Sequence, residues 1–119
     1  MNTVNLHEKF TLFSEFYKPY IVGDLNDAYV KVVKLKGEFV WHHHDNEDEL
    51  FLVVQGTLRM KFRDRTELVN AGEFIIVPRG VEHCPVADQE VHLVLIEPKS
   101  TLNTGNITNE RTVAQLESI

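Results

Sequence analysis

Five side chains of metal-ligand type lie in apolar parts of this sequence. Three consecutive histidines, His42, His43 and His44, stand shortly before Glu49, and His83 follows a Pro-Arg-Gly turn. Imidazoles and carboxylates are costly to bury unless a hydrogen-bonding partner or an ion satisfies them. Neutral imidazole together with carboxylate suits Fe, Mn, Ni, Zn or Cu. The chemistry that these residues suggest is therefore that of a bound transition metal.

The alternation of side chains along a strand separates the three histidines, because positions two apart share a face. His42 and His44 point one way, whereas His43 points the other and is expected at the surface or behind the ligands as an outer partner. A hairpin can bring Glu49 back to the pair, and His83 must arrive on a separate strand. Three imidazoles and one carboxylate would leave open positions on an octahedral ion, where a water, an oxygen or a substrate can bind.

Other reactive side chains are expected to play smaller roles. Cys84 follows His83, so it should face away from the site as a buried, inert thiol. Lys31, Arg79 and Glu82 could contact a substrate, but charged residues near strand ends are usually solvated. The sequence shows no further acid/base pair and no basic cluster suited to a phosphate, which argues against a sugar phosphate as substrate.

The segments that must position these residues are short apolar runs separated by Gly, Pro or polar turns, the pattern of an all-β sandwich or barrel. The predicted strands cover residues 20–25, 29–35, 38–44, 49–54, 58–63, 66–69, 74–77 and 91–96. Asn5, with Glu8 three residues later, predicts the start of a short helix that ends near Phe10. A second, weak helix is predicted over residues 108–119.

Composition limits the class of protein. The chain has 119 residues, 43% of them hydrophobic and 25% charged, which suits one globular domain. Its net charge of −6 makes it a poor candidate for binding nucleic acid or an anionic membrane. The single cysteine excludes an internal disulfide, and the sequence has neither a signal-peptide pattern nor a long apolar run. We therefore expect a cytoplasmic protein.

Two motifs resemble those of the cupin superfamily. The stretch from Gly37 to Gly56 contains His-x-His, then Glu49 and a glycine after six further residues, as the first cupin motif does. The stretch from Gly72 to His83, with its Pro-Arg-Gly turn, resembles the second motif. The short gap of fifteen residues between the motifs, the flanking strands and the tail look like the small cupins labelled mannose-6-phosphate-isomerase-like.

The resemblance implies a double-stranded β-helix, or jelly-roll barrel, of six to eight strands in two antiparallel sheets. It implies a single domain over residues 1–119, with a barrel core at about 28–97, an N-terminal arm at 1–27 and a C-terminal tail at 98–119. It also implies one divalent metal, Fe, Mn, Ni or Zn, held by His42, His44, Glu49 and His83.

One departure from the motif concerns the choice among the three histidines. Only four residues separate Gly37 from His42, where the motif usually has five. Taking His43 as the first ligand restores that spacing but puts Asp45 in the second ligand position. Strand alternation favours His42 with His44, and the choice remains open at this point.

Three functions are compatible with these observations. The first is a metal-dependent dioxygenase or isomerase that acts on a small organic molecule in an apolar cup lined by Val40, Phe51, Val53 and Met60. The second is a non-catalytic metal-binding or small-ligand-binding protein, such as a sensor. The third is a scaffold that has kept its ligands without a selected activity.

A homodimer is expected from the second apolar face of the strands. Leu50, Leu52 and Val54 are apolar although they face away from the cup, and Phe39 and Trp41 are expected to face away from the histidine pair. The chain has little helix to cover such a face, so an identical subunit is the expected partner.

Overall fold

The chain folds into one short helix and eight strands. The computed structural model describes residues 1–119. The elements are α1 (Leu6–Phe10), β1 (Tyr20–Leu25), β2 (Ala28–Glu38), β3 (Glu49–Gln55), β4 (Thr57–Phe62), β5 (Thr66–Asn70), β6 (Phe74–Val77), β7 (His83–Pro98) and β8 (Glu117–Ser118). As predicted, Asn5 caps α1, and its side chain accepts a hydrogen bond from the Glu8 backbone N–H at 3.0 Å. Nothing helical here has the length or hydrophobicity to cross a membrane.

The long strand β7 organises the sheet. It pairs antiparallel with β2 from Ala28↔Pro98 to Glu38↔Val86. On its other side, its first residues pair with β4 and its last residues pair with β3. Strand β5 pairs with β4, β6 pairs with β3, and β1 pairs with the far side of β2. The half of the sheet that contains β4 and β5 and the half that contains β3 and β6 are therefore joined through β7 and its partner β2. Together they form the jelly-roll barrel that the sequence predicted.

The barrel interior follows from the alternation of side chains. In β3, Phe51 and Val53 are buried, whereas their neighbours Leu52 and Val54 are more exposed. The same alternation places Leu93 of β7 in the interior. These residues belong to one apolar cluster with residues of β2, β4, β5 and β6. A second cluster lies on the outer face, where the N-terminal arm packs against β2 and β7.

Two predicted elements are wrong. Residues 39–48 form no strand, apart from an isolated bridge at His42, because β2 ends after an irregularity at Gly37, whose φ is +84°. Residues 108–119 form turns instead of a helix and end in β8, which pairs parallel to β1. In that tail, side chains such as Asn103 and Thr104 bond to nearby backbone groups. Such local bonds compete with helix formation.

Candidate metal centre

Backbone hydrogen bonds join the two segments that carry the candidate ligands. The His42 N–H donates to the His83 carbonyl at 3.0 Å, and the His83 N–H donates to the His42 carbonyl at 2.9 Å. The Gly80 N–H donates to the His44 carbonyl at 2.7 Å, so the Pro-Arg-Gly turn is tied to the histidine segment as well. Since Glu49 opens β3 beside β6, all four predicted ligands are anchored by the main chain.

The structure brings these four side chains together. His42, His44, Glu49 and His83 are each at most 4% exposed, and one ligand atom from each lies within 4.8 Å of the others. His43 lies outside this group, with its ring 3.0 Å from the exposed Asp45 carboxylate. Thus the structure groups His42, not His43, with the other candidates. The sequence favoured this choice, although the segment forms no strand apart from the bridge at His42.

Hydrogen bonds orient two of the rings. Nδ1 of His42 lies 2.9 Å from the Val40 carbonyl oxygen, and Nδ1 of His83 lies 2.9 Å from the Val81 carbonyl oxygen. A carbonyl oxygen only accepts, so Nδ1 must carry the proton in each ring. The lone pair of the neutral ring then lies on Nε2, which is the arrangement found in histidine ligands of metals.

The ligand atoms do not satisfy one another. Nε2 of His44 and Nε2 of His83 lie 2.9 Å and 3.2 Å from Oε1 of Glu49. None of these three buried atoms has a hydrogen-bond partner, because the atoms are close but not aligned for a hydrogen bond. An ion about 2.1 Å from each atom would space adjacent ligand atoms about 3 Å apart and opposite ones about 4.2 Å apart. The residues therefore fit a metal ion.

The protonation states of His42 and Glu49 favour the binding of a cation. Burial, and after it the neighbouring His83 ring, lower the pKa of His42 to about 4. Burial alone would raise the pKa of Glu49, but its interactions with Glu97, His44 and His83 outweigh burial and hold that pKa well below the ordinary value. A neutral imidazole and a carboxylate anion are the protonation states that bind a divalent metal.

A narrow apolar cup of about 40 Å³ opens beside His42 and Glu49. Aromatic and aliphatic side chains form most of its wall, and no lysine or arginine is part of it. The lining residues are Tyr17, Pro19, Val33, Leu35, Phe39, His42, Glu49, Phe51, Pro85, Leu93, Leu95, Glu97 and Asn103.

The predicted lining was right for Phe51 but not for Val40, Val53 and Met60, which do not reach the cup. Phe39, predicted to face away from the histidine pair, instead lines the cup. Its ring stacks on Tyr17 with centroids 4.6 Å apart and meets the His42 ring edge-on. The chain at Phe39 is not a strand, so strand alternation does not apply to it.

Sequence reasoning missed a buried ion pair. Nζ of Lys31 lies 2.7 Å from Oε1 of Glu97, and each side chain is 1% exposed. The expectation that Lys31 is solvated is therefore wrong. Lys31 lies two residues from the buried Val33 in β2, and Glu97 lies two residues from the buried Leu95 in β7, so each shares a face with a buried apolar residue. That period-two pattern was the available signal for an interior position.

The other reactive side chains behave as predicted. Arg79 and Glu82 are exposed and pair with surface residues. Cys84 is fully buried, with its sulfur 3.6 Å from Oε1 of Glu38. Burial, aided by the Glu38 carboxylate, raises the pKa of this thiol to about 11, so the thiol stays protonated and unreactive at neutral pH.

The C-terminal tail packs directly on the histidine segment. The His43 N–H donates to Oδ1 of Asn106 at 2.9 Å, and the Asn106 N–H donates to the His43 carbonyl at 3.1 Å. A Cβ atom at Gly105 would collide with the His43 carbonyl oxygen and would lie 3.0 Å from Cδ2 of His42. The tail therefore helps to set the position of His42.

We expect Gly105→Ala to lower the affinity for a divalent metal by about 10-fold or more, because the added methyl group displaces the His42 segment. Chelator competition measures this affinity. Gly72→Ala is the matched control, since Gly72 also has a positive φ but its Cβ would meet nothing within 4 Å. Equal affinities in the two variants would show that the tail does not position His42.

Comparisons with known proteins agree with the fold and the motifs. The family model of the cupin domain (Cupin_2) matches residues 29–97. A cupin-2 domain containing protein from Shewanella frigidimarina is 43% identical with a TM-score of 0.81, covering 82% of this chain and 95% of that chain. The protein NMB1881 from Neisseria meningitidis is 30% identical with a TM-score of 0.75, covering 82% and 100% of the two chains.

Two curated relatives are longer than the region they share with this chain. YdbB of Bacillus subtilis is 34% identical over 70 residues, which are 58% of this chain and 62% of that protein. A mannose-1-phosphate guanylyltransferase of Salmonella montevideo is 30% identical over 107 residues, 85% of this chain but 22% of the enzyme. The chain therefore matches less than two thirds of the length of either relative. From its motifs, its barrel and these matches, the chain belongs to the cupin family.

Proposed function

We propose that the protein binds one divalent transition metal through His42, His44, Glu49 and His83, and that it uses the metal to act on a small organic substrate. The observation that carries this proposal is the convergence of four buried ligand atoms within 4.8 Å, three of them without a hydrogen-bond partner. Oxygenase or isomerase chemistry suits such a site. A divalent ion supplies Lewis-acid polarisation, and iron or manganese adds one-electron chemistry.

The surroundings of the site support a small and uncharged substrate. The cup meets the metal centre at His42 and Glu49, and its remaining wall is largely apolar. A volume of about 40 Å³ is little more than the roughly 30 Å³ that one water molecule occupies in the liquid, so a ligand of more than a few heavy atoms requires Tyr17 and Phe39 to move. Without a lysine or arginine in the wall, a phosphate would find no cationic side chain there.

In this proposal the protein contributes binding and exclusion of water. Phe51 and the Tyr17–Phe39 stack shield the ligand from solvent, which strengthens electrostatic interactions at the reacting atoms. Tyr17 is held in place by its hydroxyl, which donates to the Gly37 carbonyl at 2.5 Å. That phenol is not available as an acid or base at neutral pH, since burial raises its pKa.

We expect the protein purified without added metal to contain about one equivalent of a transition metal. His83→Ala should weaken metal binding more than about 100-fold, because it removes a ligand, and even outer-shell partners typically change affinity 10- to 100-fold. Elemental analysis and chelator competition measure both effects. His43→Ala, which removes a neighbouring ring outside the group of four, should retain the metal. Stoichiometric metal in His83→Ala would show that the ligand set is wrong.

The second candidate is a metal-binding or ligand-binding protein without turnover, and the narrowness of the cup favours it. We expect the metal-loaded protein to consume oxygen or to catalyse keto–enol hydrogen exchange with a small neutral diketone such as acetylacetone. An oxygen electrode and deuterium exchange followed by NMR measure the two reactions, with metal-free His83→Ala as the blank. Binding of the diketone without either reaction would contradict the enzyme and leave the binding protein.

We also propose that a second copy of the chain covers the outer face of β3 and β6. Phe74 and Ile76 of β6 are 60% and 52% exposed, and they pair with the half-buried Leu52 and Leu50. The N-terminal arm covers the adjoining part of this face but not β6. Exposed apolar side chains grouped in this way are typical of an interface.

The dimer predicts a mass of twice 13.7 kDa in sedimentation equilibrium at micromolar concentration. Ile76→Lys should shift the protein toward the monomer, because it places a charge in the interface. Leu25→Lys, at an exposed apolar position on β1, is the control and should leave the mass unchanged. A wild-type monomer would refute the proposal.

A further inference from the structure

Three charged side chains lie on three adjacent strands inside the barrel. Lys31 belongs to β2, Glu97 to β7 and Glu49 to β3, and β7 pairs with both of the other strands. All three side chains are buried, and the row ends at the candidate metal centre. Fully buried lysine and glutamate side chains are rare unless they are paired.

The register of the strands places the two glutamates opposite each other. Leu50 pairs with Ile96 and Phe51 pairs with Leu95, so one residue further along the ladder Glu49 faces Glu97. Side chains that are directly opposite on neighbouring strands lie close enough to interact, and two like charges there are destabilising. Both carboxyl groups line the cup. Burial and the neighbouring Glu49 raise the pKa of Glu97 well above its ordinary value, whereas Glu97 is among the groups that hold the pKa of Glu49 well below its own.

Only one oxygen of Glu97 is satisfied. Its Oε1 accepts the hydrogen bond from Lys31 at 2.7 Å, whereas its Oε2 is buried without a partner. Lys31 thus fixes the Glu97 carboxyl group from one side, and the register leaves Glu49 as the neighbour on the other side. Carboxylates that bind a metal are commonly held by an outer partner of this kind.

We propose that Lys31 and Glu97 form a positioning pair for Glu49, which orients the Glu49 carboxyl group and raises the affinity of the site for its metal. This inference rests on the proposed metal-binding function. Neither residue is a ligand, and neither needs to touch the substrate. Glu97 acts on the metal through Glu49, and Lys31 acts through Glu97.

If the pair served only to stabilise the fold, its removal would lower the melting temperature and leave the metal affinity unchanged. Replacing a buried ion pair by apolar side chains of similar volume is often neutral or even stabilising, because the desolvation of both charges is avoided. The double variant Lys31→Met/Glu97→Leu therefore separates the two roles. If the pair serves Glu49, the variant folds normally but binds metal poorly.

The experiment measures Co²⁺ affinity by chelator competition, the visible absorption of the bound Co²⁺, and the melting temperature of the metal-free protein. For Lys31→Met/Glu97→Leu we expect a 10- to 100-fold loss of Co²⁺ affinity, the range typical of outer-shell partners. We also expect an altered absorption spectrum and a melting temperature equal to or above that of the wild type. Glu97→Gln should recover most of the affinity, because its amide can accept from Lys31 and donate to Glu49.

The matched control is Arg59→Gln/Asp88→Asn, which removes an exposed ion pair of 2.8 Å without changing the net charge. It should leave the Co²⁺ affinity and spectrum unchanged.

Wild-type affinity in the double variant Lys31→Met/Glu97→Leu would overturn the inference. A lower melting temperature of its metal-free form would also overturn it, because that result indicates a structural pair. If the wild-type protein binds no metal, the proposed function fails and the inference fails with it.

Discussion

Several buried polar atoms at one point inside this barrel have no hydrogen-bond partner in the protein. The buried side-chain atoms without a partner belong to His44, Glu49, His83 and Glu97, and all of these residues lie at or beside the candidate metal centre. Leaving such groups unpaired away from water costs about 1–3 kcal/mol each, and more for charged groups. A divalent ion would complete this arrangement, and the surrounding structure holds the four candidate ligand residues in place around one point.

That support comes from parts of the chain that are distant in sequence. The mutual backbone hydrogen bonds between His42 and His83 join the two motifs, and the tail presses Gly105 against the histidine segment. At the rim of the cup, the Arg111 guanidinium lies 4.9 Å from the centre of the Tyr17 ring, which in turn stacks on Phe39. The N-terminal arm, the barrel and the tail therefore meet around a single cavity, so a change in any of them reaches the site.

Membership of the cupin family settles the architecture but not the reaction, because a fold supports many chemistries. What distinguishes this chain is the environment of its ligands. The cup wall is largely apolar and contains no cationic side chain, while Lys31 is held in the buried pair with Glu97. These features are the basis for proposing a small neutral ligand. Lys31 lies behind Glu97, and Arg111 lies at the rim of the cup and not in its wall.

The sequence by itself determined the barrel and the group of four ligand-type residues. Alternating apolar residues with regular turns predicted the strands. The shared parity of His42 and His44 favoured them over His43, since a side chain's face in an extended segment is a local property. The spacing from Gly37 left the choice open until the structure grouped His42 with the other three residues.

The tertiary structure alone decided which distant residues meet the site. The contact of Glu97 with Lys31 and its place opposite Glu49 depend on how β2, β3 and β7 align. The inward turn of Phe39 depends on the end of β2 at Glu38, and the role of Gly105 depends on where the tail docks. Each is a non-local contact, fixed by the register and packing of the whole chain and not by the residues on either side.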